Sequence, residues 1–157
     1  MSVTVQEADF DVADETKSLT EGDTDIGAVV TFTGLVRGGT TANPAATMTL
    51  EHYPGMTETE LESIEAEALA RWPLSATRII HRVGPLNPGE NIVLVITASR
   101  HRQAAFEAAA FLMDYLKTKA PFWKKETDQD GQGTWVDARE SDDAATRRWT
   151  DTDKRRS

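Results

Sequence analysis

The chain predicts an α+β fold in which two main helices pack on a mixed sheet and a small antiparallel unit follows. Three observations carry that expectation. Two stretches, 57–72 and 99–119, repeat apolar residues at steps of three and four. Several short apolar or alternating runs lie between Gly and Pro breaks. The order is strands, helix, strands, helix, hairpin, with no internal repeat. With 157 residues the chain is long enough to bury a core without a metal or disulfide staple, so one domain is expected over 1–149 with a solvated tail at 150–157.

Val3 and Val5 alternate with polar neighbours, which predicts an edge strand, and 11–19 predicts a short helix ahead of Gly22. Residues 26–35, IGAVVTFTGL, are rich in β-branched types and bounded by glycines, a strand signal. The next segment, RGGTTANPAAT at 37–47, has paired glycines and a proline among small polar residues and reads as a mobile loop. Met48, Leu50 and His52 alternate with Thr49, Glu51 and Tyr53 in a strand with one inward face, ended by Pro54 and Gly55. Thr57 with Glu60 has capping-box spacing, and Leu61, Ile64, Ala68 and Trp72 share a helical face before Pro73. A strand is expected at 78–83, a turn in PLNPGE, and an interior strand through the continuous apolar run 92–98. Ser99 is the expected cap of the second long helix, with Phe106, Ala109, Met113 and Leu116 as its apolar face and Pro121 as its stop. Residues 122–126 and 134–138 form a hairpin around DQDGQG, and 142–149 a last helical turn or two.

Composition excludes several chemistries. A net charge of −9 argues against general nucleic-acid or anionic-membrane binding, which need a broad cationic surface. The absence of cysteine removes disulfides, zinc-thiolate and iron-sulfur sites and any cysteine nucleophile, so sulfur chemistry here must use sulfur carried by another molecule. No run approaches the roughly 20 apolar residues of a membrane span, and the acidic N-terminus lacks signal-peptide regions, so the expected compartment is the cytoplasm. Three histidines at unrelated spacings suggest no metal site, and no phosphate-loop or dinucleotide fingerprint is present.

One region opposes the acidic background. Residues 100–125 carry six Lys or Arg against two acids, +4, while the remainder totals −13. Lys117 and Lys119 sit in the last turn of the second helix, where its dipole favours cations regardless of function. Lys124 and Lys125 follow on a strand and point to opposite faces, with Phe122 and Trp123 beside them. Lys117, one step past Leu116, is expected half-buried at the edge of the core face, where its amine would serve as acid or base; Lys119 reads as surface. His101 and Arg102 open the helix, a place for an anion, and Arg37 follows a strand end from which a guanidinium reaches over the sheet. His52 and His81 read as structural or superficial. These residues describe a cationic, aromatic-edged pocket for an anionic small molecule.

With those residues in view, the sequence resembles the large, catalytic subunit of molybdopterin synthase, the MoaE-type family. The resemblance rests on FTGLVR, LEHYPGM, IHRVGPLNPGE, SRHRQAAFEA, MDYLKTKAPFWKKE and WVDARES, blocks that span 32–141 in the family order. It implies an α/β hammerhead fold with an added antiparallel sheet, and a homodimer that binds two small ubiquitin-like subunits, a heterotetramer overall. The small subunit's C-terminal Gly-Gly thiocarboxylate would deliver sulfur twice to a cyclic pyranopterin monophosphate, giving molybdopterin; no cofactor, nucleic acid or membrane is implied. By motif, Lys117 and Lys124 match the catalytic lysines, Arg37 the substrate arginine, and His101 and Arg102 the pair that contacts the pterin or its phosphate. Leu35, Val36, Lys125 and Glu126 fall in the same binding segments, Leu35 through its backbone, and Arg139 matches an arginine that reaches the neighbouring subunit's pocket. The competing class is a module that binds the pterin or the ubiquitin-like tail without turnover; a single-strand RNA binder using Phe122 and Trp123 is opposed by the acidic remainder.

Overall fold

A computed structural model describes residues 2–38, 47–127, 133–136 and 144–150. Two four-stranded sheets organise them. The first runs in the order β1 (Val3–Gln6), β4 (Leu74–Arg82), β6 (Asn91–Ser99), β2 (Ala28–Leu35), with β1 parallel to β4 and the other pairs antiparallel. The second is antiparallel throughout: β5 (Gly84–Leu86), β3 (Thr47–His52), β7 (Phe122–Thr127), β8 (Gly133–Val136). The mixed sheet, its two main helices and the hairpin are as the sequence predicts, and the class is α+β. β5 was not foreseen: three residues between Val83 and Asn87 look like turn, and only pairing with β3 makes them a strand.

The mixed sheet is covered on both faces. Helix α1 (Val12–Thr20) lies over β4 and β6 on one side, where Phe10, Ile80, Leu94 and Ile96 form a small core. Helices α2 (Met56–Arg71) and α3 (Arg102–Lys119) cover the other, and the main core joins Leu61, Ile64 and Ala68 of α2 to Ile79, Val93 and Val95 of the sheet and Ala108, Phe111 and Leu112 of α3. This two-sided cover is why β6 reads as an unbroken apolar run. A short helix at 144–150, α4, buries Trp149 edge-on to Trp72 and Phe111, with ring centroids 5.6 Å from each.

Three local expectations change. The outward position on α3 is Phe106, 60% exposed, because the inward stripe is set by Ala105, Ala108, Leu112 and Leu116. Ser99 ends β6 and donates to the Pro73 carbonyl at 2.9 Å, so His101 is the N-cap residue of α3. Helix α2 begins at Met56, with the Glu58 carboxylate accepting from Gly55 N at 2.6 Å. The expected mobile segment 37–47 falls mostly on 39–46, and the expected tail mostly on 151–157, both outside the described residues.

Thr57, the second residue of α2 and fully buried, has another task. Its Oγ1 accepts from Tyr53 N at 3.0 Å and donates to the Pro121 carbonyl at 3.1 Å, linking the start of α2 to the exit of α3. Thr57→Val keeps the shape and removes both bonds, so the Tyr53 amide and the Pro121 carbonyl lose this partner. The expected loss is about 1–3 kcal/mol, read as a lower urea midpoint at unchanged slope.

Candidate active site

The site forms where α3 gives way to β7. Leu116 points into the core, Pro121 offers no N–H to continue the helix, and Phe122 N donates instead to the Ala120 carbonyl at 2.9 Å. The chain therefore turns sharply and returns as β7 against β3. Cross-strand partners share a sheet face, and the register pairs His52 with Phe122 and Leu50 with Lys124. Lys124 thus stands on the face of buried Leu50, while Lys125, opposite Thr49, stands on the other with Trp123. The opposed directions expected of the two lysines are observed.

What faces Phe122 is His81. The two rings stack with centroids 3.8 Å apart and planes 18° from parallel. His81 is buried on β4, and its Nδ1 lies 2.8 Å from the Arg82 carbonyl, so the neutral ring donates there and carries its lone pair on Nε2. Burial pushes its protonation down to about 3; the Arg82 carbonyl opposes this, while the charges of Lys117 and His52 reinforce it. Lys117 is therefore close enough to act on His81 from α3, and Lys124 lies two residues, about 7 Å, along β7 from the stacked Phe122. Lys117, in the last turn of α3, and Lys124, on the Phe122 face of β7, stand before and after the Pro121 corner at which His81 stacks on Phe122.

The end of β2 belongs to the same rim. Gly34 and His81 flank Val93 in one row across the sheet, and a Cβ at Gly34 would lie 2.7 Å from Val93 Cγ1, so only glycine allows the approach. Beyond a register shift, Leu35 is exposed, Val36 is buried with its N–H on the Glu90 carbonyl at 2.9 Å, and Arg37 extends outward. Arg82, behind this rim, is held by the Glu7 carbonyl at 3.1 and 2.9 Å, the Asn91 carbonyl at 2.9 Å and Glu90 at 3.6 Å.

Two expectations about the cations do not hold within one protomer. Lys117 is exposed, not half-buried, because Leu116 takes the inward direction; Lys124 and Lys125 are the partly covered lysines. His101 and Arg102 lie at the other end of α3, fifteen residues or about 22 Å from Lys117. There they line an open depression of about 440 Å³ with Gln103, Phe106 and Glu107, remote from the lysines. Lys119 and Glu126 are exposed. Arg139 lies outside the described residues. His81, which reads from sequence as structural or superficial, is buried, and Thr57 reads there only as a capping residue; their contacts with residues 121 and 122 have no sequence signal, since only the fold brings them together. Among the described residues no cluster of His, Asp or Glu is arranged to hold a metal, and no helix is long and apolar enough to cross a membrane.

Comparison with known proteins gives consistent likenesses. The family model described as MoaE protein matches residues 5–119. A molybdopterin synthase catalytic subunit of Mesorhizobium japonicum is 58% identical over 149 residues, covering 94% of this chain and 92% of that relative. Among solved structures, molybdopterin cofactor biosynthesis protein E from Burkholderia multivorans is 50% identical, covers 95% of this chain and 96% of its own, and superposes with a TM-score of 0.81. A molybdopterin synthase structure from Staphylococcus aureus is 31% identical with a TM-score of 0.77, over 85% of this chain and 95% of its own.

Buried His81 couples stability to pH. Its folded-state protonation lies near 3, below the ordinary 6.5, so the unfolded chain binds the extra proton between those values. Stability from this group is complete above 6.5 and falls as pH drops toward 3, by about 1.4 kcal/mol per pH unit. Chemical denaturation between pH 7 and 4 should show that slope, and His81→Phe should flatten it.

Proposed function

The chain belongs to the MoaE protein family of molybdopterin synthase catalytic subunits, and we propose that it converts a cyclic pyranopterin monophosphate to molybdopterin with sulfur carried by a small ubiquitin-like partner. The observation that supports this reading is the placement of Lys117 in the last turn of α3 and of Lys124 on the Phe122 face of β7, before and after one tight corner. The chain has no cysteine, so the sulfur must be carried by another molecule, and the family resemblance makes that carrier the partner's C-terminal thiocarboxylate. Such a group persists where thiols stay reduced, which favours the cytoplasm.

In the reaction as proposed, the thiocarboxylate sulfur attacks an oxygen-bearing carbon of the pterin side chain, and the C–S bond of the resulting thioester forms as the C–O bond from that carbon to the cyclic phosphate breaks, leaving the phosphate as a monoester. Lys117 supplies a proton and balances the developing negative charge. Lys124 and Arg37 hold the phosphate as its cyclic ester opens, with Lys125, Glu126 and the backbone of Leu35 and Val36 along the rim. Water then cleaves the thioester, leaving sulfur on the pterin and a carboxylate on the partner; a second delivery completes the dithiolene. The presence of both Lys117 and Lys124 weighs against a module that only binds the pterin or the tail.

His101 and Arg102 enter this site only from a second copy, because a straight helix separates them from Lys117 by about 22 Å. A two-fold arrangement with antiparallel α3 helices brings each pair to the other's lysines. The surface suits it: β2 is an open edge strand, and Val29, Phe32 and Leu35 on it, with Phe106 on α3, are exposed apolar residues. With one small subunit at each site the assembly is a heterotetramer. Arg139 is assigned to the neighbouring subunit's pocket by the same motif resemblance.

Two measurements test this. Lys117→Ala, given thiocarboxylated small subunit and precursor, should lose at least about a hundredfold in dithiolene formation; near-normal product would refute the assignment. Co-expressing Lys117→Ala with Arg102→Ala should recover about a quarter of wild-type activity, since random pairing makes half the dimers mixed, each with one intact site. A site built within one chain predicts no recovery.

A further inference from the structure

Lys117 belongs to a helix packed on the mixed sheet, whereas Lys124 belongs to the antiparallel sheet, and among the described residues no backbone ladder joins the two sheets. The separation of the lysines is therefore the separation of two sheets at their junction. Two side-chain links hold that junction at adjacent residues: Thr57 bonds the Pro121 carbonyl, and His81 stacks on Phe122.

We propose that His81 is a positioning residue of the sulfur-transfer site, whose stacked ring sets where Phe122, and with it Lys124, stands relative to Lys117. The inference rests on the reading of those lysines as the reactive pair. His81 is suited to the task because its platform is rigid. Its Nδ1 is tied to the carbonyl of Arg82, and the Arg82 guanidinium is itself fixed on the carbonyls of Glu7 and Asn91. The imidazole presents a flat face to a flat face at 3.8 Å, so a tilt of one ring moves the other. It also remains uncharged beside Lys117, so it adds no third cation to the corner. Phe122 is half-buried and is the first residue of β7, which makes it the point where displacement would pass directly into the strand that carries Lys124.

The test is a double-mutant cycle on the stack, read by single-turnover sulfur transfer from thiocarboxylated small subunit to the cyclic precursor. His81→Leu and Phe122→Leu each keep an apolar side chain and remove a ring plane. Each should lower kcat about ten- to a hundredfold, with KM for the precursor within about threefold, because a displaced lysine weakens the transition state more than binding. Phe122→Tyr, which keeps the ring, should retain kcat within about threefold. The double variant should be no slower than the slower single, as expected when both remove one interaction.

Multiplicative losses in the double variant, unchanged kcat in either single, or a Tyr variant as slow as the Leu variant would overturn the proposal. Urea midpoints identify any variant that fails to fold; Phe122, reached from the exposed side, supplies the readout if His81→Leu does. Lys117→Ala in the same assay separates the two readings. If it stays active, the reactive-lysine assignment fails; if it is inactive while the stack variants turn over normally, only the role of His81 fails.

Discussion

Pro121 has no amide hydrogen, and that missing donor determines the geometry of the whole site. Helix α3 cannot continue past it, so the chain leaves the helical layer and enters the antiparallel sheet within two residues. A helix that ran one turn further would carry the lysines of the second half away from Lys117 and leave β3 without its central partner. The corner is costly to hold, because an extended segment packed between two sheets has few local bonds. Thr57 below and His81 above supply the missing restraint, one through its hydroxyl and the other through its ring.

Much of this was legible in the chain itself. Helix α2, the apolar β6 run, the one-faced β3 and the β7–β8 hairpin all have periodicity or turn residues that act locally, and they appear where expected. The opposed faces of Lys124 and Lys125 follow from strand geometry alone. The misses share a physical cause, which is contact between residues distant in sequence. β5 is a strand only because β3 lies beside it. Phe106 satisfies a three-four spacing as well as Ala108 does, yet small alanines let α3 approach the sheet closely and the phenylalanine is left outside. His81 has no sequence partner because its partner is forty-one residues away, across a sheet junction.

Electrostatics separates the protein into two territories. The acidic residues are spread over the outer surfaces, including α1 and the exposed side of α2, whereas the cations singled out above lie at the two ends of α3, on the strand that follows it and, with Arg37, just past the end of β2. An overall negative body with positive pockets repels polyanions and still admits a compact one. Cations stand at both ends of one 18-residue helix, so the two groups are held apart within a protomer.

The parallel pairing of β1 with β4 has a consequence for how the chain acquires its structure. Val3 lies against Ile79, and Ile79 N donates to the Ser2 carbonyl at 2.8 Å, while the Glu7 carbonyl waits for the guanidinium of Arg82. During synthesis β1 has no partner until β4, some seventy-five residues later, has been made. That pairing is a non-local closure that raises contact order and slows folding. The mixed sheet is completed later still, because β6, which joins β4 to β2, follows both in the chain.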